Sequence, residues 1–184
     1  MTNNPSLSAI QAMVEDYQFL QEKVLLEEPS MAQRIQRHLL KMFVLACASC
    51  YEHQIISAIQ KYAQEHSKKY GTGPHSFDEL EKISFFKLFD FGREKLKPPV
   101  DFLRPMNALG RQFKADLVGE TNKDKQKVVE MTAFQEMCAM RNSMAHNDLI
   151  IADDAIAEKT FENVRSLHSE ALKYVAFLVS KLRV

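Results

Sequence analysis

The 184 residues carry 24 Lys plus Arg against 24 Asp plus Glu, so no overall cationic field draws in nucleic acid without preference. That length suits one domain, residues 1–184, with a core of ordinary size. Three cysteines without a regular framework, and an N-terminus that does not read as a signal peptide, point to a reducing, cytoplasmic setting.

Leu7, Ile10, Val14, Tyr17, Leu20 and Val24 recur every three or four residues, which predicts an amphipathic helix over residues 8–28 with an acidic outer face. Glu27, Glu28 and Pro29 mark its end, and Ser30 is placed to cap the next helix. The pattern stays helical over residues 31–69 and is apolar almost all round between 39 and 59, as a helix at the centre of a bundle requires. The most apolar run, residues 39–51, is interrupted by Lys41 and Ser49 and is shorter than a bilayer, so the expectation is a core helix and no membrane partner. Cys47, Cys50 and His53 lack a second CxxC or paired-His motif, and thiols on a buried helix are usually core filler. No metal and no cofactor are expected there.

Residues 70–75, YGTGPH, form the strongest break in the chain. Ser76 and Glu79 then fit a capping box that opens a helix through residue 89. Residues 82–114 hold eight basic side chains against three acidic ones, so this segment is net +5 and the remainder net −5. Phe85, Phe86, Phe89 and Phe91 lie among Lys82, Lys87, Arg93, Lys95 and Lys97. Aromatics interleaved with cations can stack and clamp single-stranded RNA, and phenylalanines at this spacing also serve as core. Pro98 and Pro99 mark a turn, and a further helix is predicted over residues 100–117, disturbed near Pro105.

Residues 119–124, GETNKD, read as a polar connection to a helix over residues 125–147, and residues 149–154 leave that helix. Asp153 or Asp154 is placed to cap the last helix. There Phe161, Val164, His168, Ala171, Val175, Leu178 and Leu182 form a stripe that closes the bundle or joins two subunits, with His168 structural. No stretch alternates long enough to be a strand, there is no internal repeat, and glycine-rich phosphate loops are absent, so the fold class is all-α.

The chemistry concentrates in residues 137–147, MCAMRNSMAHN. Val128, Met131, Phe134, Cys138 and Ala145 run through Arg141 at helical spacing, which places a cation on or beside a packed seam. Asn142 and His146 stand at i and i+4 and project from one side, and Arg141 beside them can swing across. A guanidinium forks onto phosphate oxygens, an imidazole moves a proton near neutral pH, and an amide holds either in register. The alternative is a half-buried Arg paired with a carboxylate and a His hydrogen-bonded near the helix end. Glu52 and His53, charged on an otherwise apolar helix, either emerge at a bundle edge or support the Arg141 and His146 site from behind.

RNSMAH, late in a chain of long helices and followed by one more amphipathic helix, resembles the R-N-x-x-x-H signature of the HEPN superfamily, in particular its RNase-like prokaryotic branches. The likeness covers the helical layout from about residue 30 onward. It implies a HEPN-like bundle of long antiparallel helices with additional shorter ones, and a homodimer in which two motifs face each other. It further implies a metal-independent endoribonuclease of toxin-antitoxin or defence systems, with Arg141 and His146 catalytic and Asn142 supporting them. RNA or nucleotide would be the ligand and an antitoxin protein a possible partner. Members without nuclease activity give the alternative: a non-catalytic nucleotide-binding, RNA-binding or protein-interaction module. Toxins of this superfamily silenced by a nucleotidyltransferase carry a Tyr two residues after the His, where this chain has Asp148, so that regulation is not implied here.

Overall fold

The computed structural model describes residues 5–24, 29–70, 89, 102–103, 106, 109–146, 156 and 158–183. Every regular element among them is helical: α1 (Pro5–Phe19) with a π-helical extension (Leu20–Val24), α2 (Pro29–Tyr70), α3 (Arg111–Lys123), α4 (Lys125–His146) and α5 (Phe161–Lys181). The protein is an all-α bundle.

α2 begins at Pro29, so Ser30 lies inside the helix and is not its cap. Proline suits a first helical position, where its missing N–H costs nothing. The helix runs through the expected range and forms the centre of the bundle. Phe43, Val44, Cys47, Tyr51 and Ile55 are fully buried along it, and it packs against α1, α4 and α5. Stretch Pro29–Glu65 is long and apolar enough, by length and composition, to cross a membrane, with a mean hydropathy of 1.3 over its most apolar window. The run of residues 39–51 thus understated its reach. Its apolar surface is also not all enclosed, for Met42 is 52% and Leu45 40% exposed.

Strand-like order is replaced here by a register of side chains. α2 and α5 run parallel: Phe43 meets Phe161 at 4.8 Å between ring centroids, and eight residues further along Tyr51 meets His168 at 5.7 Å. α4 runs antiparallel to α5, with Lys159 bound to Glu136 at 2.5 Å and Gln126 donating to Glu170 at 2.8 Å. Phe134 of α4 is the hub of the aromatic core, touching Tyr51, Phe89, Phe102 and Tyr174 at ring distances of 5.3–5.9 Å. Phe89 is buried, so this one of the four interleaved phenylalanines is core; Phe85, Phe86 and Phe91 lie outside the described residues.

Two boundaries differ from expectation. Residues 119–123 are not a loop: α3 continues through them, with Leu117 and Thr121 buried and the Thr121 hydroxyl 3.5 Å from that of Tyr174 on α5. Only Asp124 breaks the chain. Its extended backbone ends α3, and its carboxylate accepts from the Gln126 N–H at 2.8 Å to start α4. α5 is capped by Thr160 in a capping box with Asn163, not by Asp153 or Asp154. Of the helix expected over residues 100–117, the described residues before Gly110 are Phe102, which is helical, Leu103, Met106 and Leu109, all buried; α3 starts after Gly110, whose φ of 113° suits glycine.

Candidate functional site

α4 is described through His146 and carries the whole RNSMAH motif; Asn147, the last residue of the expected range, lies outside the described residues. Its apolar seam is buried through Met131, Phe134, Met137, Cys138 and Met140, and burial then stops: Arg141, Asn142, Ser143 and Met144 are all half-buried. The motif therefore begins where the helix leaves the core. Arg141 Nη1 lies 3.5 Å from Asn142 Oδ1, the outer limit of a hydrogen bond, which brings the guanidinium and carboxamide side by side. His146 lies on the same helix, one turn beyond Asn142.

Burial pushes the Cys138 thiol well above its usual range, while the Arg141 charge pulls it down and the Glu52 charge pushes it up. Of the two α2 candidates, Glu52 is half-buried. His53 is exposed on the outer face of α2 and is not joined to the motif. Asp148, Lys82, Lys87, Arg93, Lys95 and Lys97 lie outside the described residues.

Of the two apolar sides of α4, Met137 and Met140 on one and Phe134 and Cys138 on the other are buried, while Met144, beside Arg141, is half-buried. Among the described residues, two cavities lie elsewhere. One of about 420 Å³ lies between α2 and the end of α5, lined by Gln54, Lys61, Glu65 and Arg183 among others. The other, of about 230 Å³, lies between the end of α1 and the start of α5, over Tyr17 and Phe161. Neither includes Arg141 or Asn142.

Cys47 and Cys50 are buried while His53 is exposed, so the three do not converge. Sequence reasoning missed the most closely held polar pair in the core, Tyr51 and His168, which share a 2.7 Å hydrogen bond through His168 Nδ1. His168 stacks on Tyr51 and meets Phe43 edge-on, and burial lowers its pKa to about 4, so the imidazole is neutral at pH 7. The signal was present in part: a Tyr and a His each fall on the apolar face of their own helix, but nothing in the sequence pairs positions 117 apart.

Compared with protein-family models, with curated proteins and with solved structures, the chain matches none.

Proposed function

We propose that this chain is a metal-independent endoribonuclease of the HEPN type, acting in the cytoplasm as a toxin or defence effector. One observation carries it. Arg141 and Asn142 stand side by side and half-buried where α4 leaves the core, one turn before His146. A guanidinium and an amide set together at a half-buried helix surface suit a phosphate better than they suit packing.

In this mechanism His146 takes the proton from the ribose 2′-hydroxyl or delivers one to the leaving oxygen. Arg141 stabilises the charge that develops on the phosphorane-like transition state. Asn142 keeps the guanidinium in register. The products are a 2′,3′-cyclic phosphate and a 5′-hydroxyl. One imidazole cannot be base and acid in the same step, so a second copy supplies the other, in a homodimer that shares its site.

The test is RNA incubated with purified protein in EDTA, with products resolved by end-group chemistry. Cutting by the wild type and a loss of about 100-fold or more in His146→Ala is the expected result. Equal cutting by both proteins assigns the activity to a contaminant and overturns the proposal. A non-catalytic module that binds nucleotide, RNA or a protein through the same patch is the second reading, favoured by the zero net charge. It predicts RNA binding that depends on Arg141 with no turnover under any condition.

A further inference from the structure

α2 and α5 meet closely in their first halves, through Phe43 on Phe161 and the 2.7 Å bond between Tyr51 and His168, and part further along. Small side chains leave the gap. Ser57 and Ala58 face it from α2, with Gln54 a turn before them and Lys61 and Glu65 after, and α5 closes it with Val179, Leu182 and Arg183. The cavity of about 420 Å³ falls in the range of pockets that hold small organic ligands, about 300–1,000 Å³. It lies at the end of α5, whereas the RNSMAH motif lies past the start of that helix, because α4 runs antiparallel to it. Cavity and motif therefore occupy opposite ends of the bundle.

Two kinds of wall select the ligand. Ala58, Val179 and Leu182 offer aliphatic surface, so the enclosed part of the ligand is apolar. The charged groups are Lys61, Arg183 and Glu65, one positive charge in excess. Lys61 and Glu65 stand 3.8 Å apart with side chains 76% and 39% exposed, a loose pair that water screens. Arg183 makes no side-chain hydrogen bond or ion pair among the described residues; only its backbone N–H is engaged, on the Ser180 carbonyl. A guanidinium without a partner beside an aliphatic wall takes a planar carboxylate through two parallel N–H···O bonds. One excess positive charge suits a monoanion, and an amine would meet the same charge as repulsion.

We infer that the cavity between α2 and α5 binds a small monocarboxylic acid with an apolar body, its carboxylate on Arg183 and Lys61 and its hydrocarbon against Ala58, Val179 and Leu182. This is a ligand site remote from Arg141, and it does not rest on the nuclease reading.

Titration of the isotope-labelled full chain with octanoate, without RNA and followed by backbone amide NMR shifts, tests the inference. Saturating shifts should centre on residues 54–65 and 179–183, with a Kd of about 0.1–1 mM. Acetate has the head without the body, and octylamine has the body with the opposite charge; each should shift the same amides about tenfold less at equal concentration. Arg183→Glu, at an exposed position, should weaken octanoate by about tenfold and leave the spectrum elsewhere unchanged. Ala58→Trp should fill the cavity from a half-buried position and abolish binding. Equal response to octanoate and octylamine, shifts centred on other residues, or no saturation by about 5 mM overturns the inference. Octanoate binding that Arg183→Glu leaves unchanged overturns it as well.

Discussion

Replacing His168 by Gln should flatten the acid side of the stability profile, and the structure fixes the size of the effect. His168 is 8% exposed, hydrogen-bonded to Tyr51 and held between two aromatic rings, and its pKa falls from 6.5 to about 4 through burial. The unfolded chain therefore binds a proton at this residue between those values and the folded chain does not. Stability is thus fully present above pH 6.5 and is lost as pH falls towards 4. Between pH 7 and pH 5 the loss amounts to about 2 kcal/mol, or about 4–8 °C in Tm for a chain of this size. Carboxylates titrate in the same range, so the quantity to measure is the difference between the two proteins in urea melts followed by circular dichroism at each pH. His168→Gln should start less stable at pH 7 and lose about 2 kcal/mol less on acidification. Parallel pH profiles for the two proteins would refute the buried neutral imidazole.

Phe134→Ala should destabilise by about 3–5 kcal/mol, because the ring touches four other aromatics and no neighbour can fill its place; a loss under 1 kcal/mol in urea melts would contradict its position as hub. Thr160→Ala should cost about 1 kcal/mol in urea melts by removing the side-chain half of the α5 capping box; an unmoved melting curve would contradict that cap.

The sequence by itself determined the all-α class, the ranges of α2 and α4, and the α5 stripe, all of whose members are buried. Those features rest on periodicity within one helix, which a single segment displays in full. Local chemistry was legible where it was unambiguous and misleading where competing caps stood close together. Thr160 with Asn163 outcompeted Asp153 and Asp154, and Asp124 alone made the turn attributed to residues 119–124. The motif was visible as a cation on an apolar seam, and Arg141 and Asn142 do meet where burial ends. Tertiary structure decided what depends on two helices at once. It left Glu52 half-buried and His53 exposed, paired Tyr51 with His168, and buried Phe134, Met137, Cys138 and Met140 of α4 while leaving Met42 and Leu45 of α2 open. Helical spacing says that a face is apolar, but whether that face meets the chain's own core or water is set by which neighbours the bundle brings to it.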